Sequence, residues 1–160
     1  MQRNIHSNEH YLEIANRIIE MIPKEHFDRV MNQEMCELSH DFIGFVNYYE
    51  PLAKMIPEDW VVIDFGAAYN PQCYLFKDHK RYIAVEPSVE EMFQAPNCDI
   101  YRCTTGEFIK KHLPELYQNG TIEKEKVFAI CLYVPPWFNE KSRELVRQNF
   151  DCCYTFYPIH

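Results

Sequence analysis

Residues Trp60 to Ser88 constrain the fold more than any other stretch of this chain. Four apolar residues, Trp60-Val-Val-Ile63, run unbroken into Asp64 and Gly66, the pattern of a strand buried on both faces that ends where the backbone must turn sharply. Asn70 is placed to cap a following short helix over Gln72 to Lys77, and Pro71 suits its first turn. The donors at that helix start would point back toward the strand end, ready for a carboxylate or phosphate. A second apolar strand, Tyr82-Ile-Ala-Val85, ends in Glu86. Glu86 lies about twenty residues beyond Gly66, the spacing at which an acid takes ribose hydroxyls in nucleoside-binding βαβ units. The alternative is a plain α/β turn with a solvated Glu86.

The rest of the chain extends this unit. Ser88 and Glu91 fit a capping box, predicting a helix from directly after Glu86 to about Gln94, before Pro96. Asp99 to Cys103 reads as a third strand, and Thr104 or Thr105 caps a helix that Pro114 kinks and Asn119-Gly120 ends. Val127 to Val134 is apolar almost throughout and belongs at the sheet centre beside the first strand. A rigid Pro135-Pro136 loop, a helix capped at Asn139 and running to Phe150, and a fifth strand over Asp151 to Tyr157 follow. Upstream, Tyr11, Ile14, Ile18, Met21 and Ile22 form a helical stripe that Pro23 stops. Residues 24–56 then read as further helices. Five strands alternating with helices predict a doubly wound parallel sheet in the order 3-2-1-4-5, with its ligand crevice outside the ends of strands one and four.

Asp64-Phe-Gly66-Ala-Ala68-Tyr-Asn70-Pro71, taken with Val85-Glu86-Pro87, resembles the first two motifs of class I S-adenosylmethionine-dependent methyltransferases. The family usually carries further glycines after the first, where this chain has Ala67, Ala68 and Tyr69. The resemblance covers about residues 57–157 and implies a Rossmann-like α/β fold, here five-stranded, with an N-terminal helical layer. It implies S-adenosylmethionine as cofactor, held by Asp64, Gly66, Ala68, Asn70, Glu86 and Pro87, with Thr104 or Thr105 toward the adenine. Val134-Pro135-Pro136-Trp137 stands where amino-methyltransferases carry Asp or Asn, Pro-Pro and an aromatic. Tyr133, Pro135 and Trp137 are therefore the candidate catalytic residues: the Pro135 carbonyl and the Trp137 ring would hold the acceptor. The order acid-x-Gly disfavours a nicotinamide-dependent oxidoreductase, which wants Gly-x-Gly-x-x-Gly where this chain has Gly66, Ala68 and Pro71. A non-catalytic binding or assembly module with a methyltransferase-like fold is the rival reading.

Composition narrows the class further. One domain over residues 1–160, with helices over 1–56 and the α/β core over 57–160, suits the length. A net charge of −8 opposes a partner recognised through phosphates, so nucleic acid is disfavoured, while the resemblance implies a small-molecule methyl acceptor. Seven cysteines without a Cys-x-x-Cys pair suggest reduced thiols in a cytoplasmic protein and no metal site. His6 and His10, one helical turn apart, lack a third ligand nearby. No apolar run suffices for a signal peptide or membrane span. The aromatic fifth strand, left at a sheet edge, needs a cover, either the equivalent strand of a second copy, which predicts a homodimer, or the N-terminal helices of the same chain; light scattering on the purified protein decides between them.

Overall fold

A computed structural model of the chain describes residues 5–32, 48–132 and 136–155, with side chains described from residue 13 in the first helix and from residue 140 in the last. Five strands, β1 (Val61–Phe65), β2 (Arg81–Val85), β3 (Cys98–Tyr101), β4 (Val127–Cys131) and β5 (Cys153–Thr155), form one sheet in the order β3-β2-β1-β4-β5. Every pairing is parallel. The predicted order and α/β class are thus the observed ones, and β1 is the central strand because its five residues are buried on both faces.

Strand alternation sorts the core into two layers. On one face Val62, Tyr82, Ala84 and Ile130 pack with Ile14 and Ile18 of α1 (Ile5–Met21), Val30 of α2 (Lys24–Met31) and Leu52 of α3 (residues 48–55). On the other face Val61, Ile63, Phe65, Ile83, Val85 and Ala129 pack with Phe108 and Leu116 of α4 (residues 105–118) and Val146 of α5 (Pro136–Asn149). The N-terminal helices therefore cover one side of the sheet, and α4 and α5 the other.

Several local expectations change. The segment after β1 is a 3-10 helix, Pro71–Phe76, and Asn70 does not cap it: Asn70 sits at φ 70° with its amide turned away. No helix follows Glu86. Residues 88–97 are irregular, because the Ser88 N–H is taken by the Glu86 carboxylate and the Phe93 N–H by the Tyr69 carbonyl. Met92, Phe93 and Ala95 are buried there, and the α2 imidazole of His26 meets the Met92 carbonyl at 2.7 Å. Burial of Phe93 outweighs a capping box, whose whole contribution is on the order of 1 kcal/mol. Thr104 caps α4, accepting the Glu107 N–H at 3.2 Å. A wide π turn, Phe108–His112, precedes Pro114, which has no N–H to give the preceding turn. The last helix starts at Pro136, so Asn139 lies inside it instead of capping it. β3 ends at Tyr101, and β5 is described only as far as Thr155.

Candidate functional site

The carboxyl ends of β1 and β2 meet in a tight constellation. Gly66 turns the chain out of β1 at φ 78°, its N–H donating to the Val85 carbonyl at 2.8 Å. The left-handed conformation recurs at alternate positions, in Ala68 (φ 56°) and Asn70 (φ 70°), although neither is glycine. Such backbone costs Ala68 about 1–2 kcal/mol and persists only where the surroundings over-determine it, whereas asparagine tolerates it more readily.

The surroundings do so here. Glu86, immediately after β2 and only 8% exposed, takes the Ala68 N–H on one carboxylate oxygen and the Ser88 N–H on the other, both at 2.9 Å. Its own N–H donates to the Tyr101 carbonyl at 3.0 Å, which ties β3 into the same corner. The Asn70 amide donates to the Phe93 carbonyl at 3.0 Å and to Cys98 Sγ at 3.5 Å. The Arg102 guanidinium donates to the Val89 carbonyl. Glu86 is therefore a loop anchor, not the solvated acid of a plain turn.

Asp64 is placed differently from the other predicted ligands. One residue before Phe65 and two before Gly66, it shares the face of Val62, and so it points under the N-terminal helices instead of into the crevice. It is fully buried and accepts Tyr49 Oη from α3 at 2.9 Å, Gln72 Nε2 at 2.8 Å and Tyr82 Oη. Burial pushes its pKa up to about 7, against the opposing pull of the hydrogen bonds from Tyr82, Gln72 and Tyr49. Tyr49 is thus core, while the parts of Gln72 and Tyr82 escaped the sequence reading. A signal existed for Tyr82: Asp64 is paired with Ala84, so Tyr82 stands two residues away on the same face.

The structure brings Gly66, Ala68, Glu86 and Pro87 together at the strand ends, with Pro87 exposed. Asp64 and Asn70, both fully buried, face inward. Thr104 is exposed but spends its hydroxyl on the helix cap, and Thr105 is buried at the start of α4. Tyr133 and Pro135 lie outside the described residues, and of Trp137 only its place in the first turn of α5 is described. Among the described residues no group of His, Cys, Asp and Glu could hold a metal ion, and no helix is long and apolar enough to cross a membrane.

The fit to a nucleoside cofactor is divided. The left-handed turn and the acid lie side by side at the strand ends, and each Glu86 oxygen keeps a second lone-pair direction for a hydroxyl. The loop N–H groups of Gly66, Ala67, Ala68 and Asn70 are each already bonded within the chain, so the loop's donors are committed. An open cavity of about 560 Å³ lies elsewhere, between α1, α3 and the 3-10 helix, with His79 and Glu58 from the segments that lead into β2 and β1. It is thus at the opposite end of the strands. His79 there donates to the Ile56 carbonyl at 2.9 Å and packs on the Phe76 ring, holding the end of α3 to the turn.

No protein-family profile and no curated protein matches the sequence. Among solved structures the chain is similar to a protein of Anaeromyxobacter dehalogenans named "Putative Type II Methyltransferase", at 14% sequence identity and a TM-score of 0.49. The match covers 71% of this chain and 47% of that one, so the chain spans less than half the length of that protein. At that identity the likeness is one of backbone shape alone.

Proposed function

We propose that the protein is a small S-adenosylmethionine-dependent methyltransferase acting on a small-molecule acceptor, with its cofactor site at the carboxyl ends of β1 and β2. The observation that carries this reading is the left-handed backbone at Gly66, Ala68 and Asn70 beside the Glu86 carboxylate. Strain held at a non-glycine residue beside a strand end recurs at ligand turns, and it supports this reading. In this reading Glu86 accepts ribose hydroxyls through its remaining lone pairs, and Gly66 to Ala68 lie against the methionine part. Thr104 is the exposed hydroxyl on the adenine side. S-adenosylmethionine, when bound, supplies an already activated methyl group. The chain's part is then orientation and exclusion of water, with Pro135 and Trp137 aligning the acceptor, and no acid or base is needed for that task.

A second reading is a non-catalytic binding or assembly module. It is favoured by the committed loop donors and by the inward turn of Asp64 and Asn70.

Calorimetric titration with S-adenosylmethionine, S-adenosylhomocysteine and NAD separates the two. We expect S-adenosylhomocysteine to bind and, at a hundred times its dissociation constant, to add about 2.7 kcal/mol of stability. No heat and no melting shift at millimolar ligand would leave the binding module in the lead.

A further inference from the structure

Asp64 joins three elements that are otherwise far apart in the chain: α3 through Tyr49, the 3-10 helix through Gln72 and β2 through Tyr82. All three donors are neutral, and the carboxylate has no exposed surface. The titratable groups around it are Tyr49 on α3, Tyr82 on β2, Cys73 on the 3-10 helix, Glu86 beyond β2 and Cys131 on β4. Glu86 opposes a negative charge on Asp64, and Arg143 and Arg147 of α5 act on Cys131, which packs in the opposite layer. A buried carboxylate held by neutral donors alone is costly to ionise.

The Gln72 amide also donates to the Ala67 carbonyl at 3.0 Å, while its bond to Asp64 is 2.8 Å. The state of Asp64 is thereby tied to the turn at Gly66 to Asn70 as well as to α3. We propose that Asp64 is a protonation-linked bolt: with its proton on, it holds α3 and the 66–72 turn against β1, and once ionised it loosens both. When protonated, its hydroxyl faces Tyr49, whose own hydroxyl rotates to receive it, while the fixed Gln72 amide keeps its acceptor on the other oxygen.

The direction follows from linkage. Folding raises the Asp64 pKa from 3.8 to about 7, so the native chain keeps a proton that the unfolded chain has lost. The stabilisation from that proton is full below the unfolded value, declines as pH rises from there, and is gone above about 7. The hold on α3 therefore weakens as pH rises toward 7 and changes no further above it. Its effect on ligand affinity at the 66–72 turn rests on the methyltransferase reading; its effect on α3 does not.

Two readouts on the full chain test the bolt. The carbon chemical shift of the Asp64 carboxyl, followed by NMR from pH 5 to 9, is expected to titrate with a midpoint near 7. Hydrogen-exchange protection of the amides of residues 48–55, corrected for intrinsic rates, is expected to fall by up to about tenfold per pH unit as pH rises from 5 toward that midpoint and to level off above it. In Asp64→Asn, whose amide satisfies the same three partners without a titrating proton, protection should be flat with pH. Should that variant not fold, Tyr82→Phe removes one donor to the anion and should move the step to higher pH. A carboxyl midpoint below 5, or the same fall in protection in Asp64→Asn, overturns the proposal. S-adenosylhomocysteine titrated at pH 6 and pH 8 separates the two ideas. An exchange step without any binding supports the bolt and sinks the methyltransferase reading, whereas binding of equal strength at both pH values overturns the coupling to the turn.

Discussion

Removing the Glu86 carboxylate from the ligand-free protein should cost as much stability as losing a core contact. The carboxylate takes two backbone N–H groups, from Ala68 and Ser88, at 2.9 Å each, with 8% of the residue exposed. Hydrogen bonds to a charged acceptor contribute about 1.5–3 kcal/mol each, and part of that is returned because the variant no longer buries a charge. The net expectation for Glu86→Ala is a loss of about 3 kcal/mol, or a Tm lower by about 6–12 °C for a chain of this size. Glu86→Gln keeps one acceptor and faces the other N–H with its own NH2, so it should fall between Ala and wild type, at about 1–2 kcal/mol. Urea denaturation at neutral pH without ligand reads both values from the shift in midpoint at an unchanged slope. A Glu86→Ala variant within about 0.5 kcal/mol of wild type would refute the reasoning, since the carboxylate would then not be what holds the strained turn. The same variants titrated with S-adenosylhomocysteine separate a cofactor role from the anchoring role.

Two further outcomes follow from the same corner of the fold. Ala68→Gly should raise stability by about 0.5 kcal/mol, because relief of left-handed strain at φ 56° exceeds the added freedom of the unfolded chain; thermal melting that shows a loss above about 1 kcal/mol would mean that the Ala68 methyl is needed for packing. Thr104→Ala should cost about 1 kcal/mol by removing the cap on the Glu107 N–H, with Thr104→Ser retaining most of it, and equal melting of all three proteins would show that the exposed bond contributes nothing.

The chain's pattern by itself determined the sheet. Unbroken apolar runs at Val61 to Ile63 and Val127 to Cys131 identify strands buried on both faces, and parallel strands with helical crossovers leave few ways to order them. Gly66 and Glu86 were legible for the same reason, because each stands where such a strand must stop. Local chemistry decided less. Ser88 and Glu91 carry a capping signal, yet the Ser88 N–H belongs to Glu86, and Met92 and Phe93 are buried in the layer of the N-terminal helices. Asn70 looks like a cap from its neighbours, but its amide is claimed by Phe93 and Cys98, more than twenty residues along the chain. Asp64 shows the limit most clearly. Its place beside Gly66 suggests a ligand, while the pleat sends it to the face that α3 covers, where Tyr49 and Tyr82 close over it from fifteen and eighteen residues away. Which layer covers which face is a property of how the chain crosses the sheet, and no local window of residues contains it.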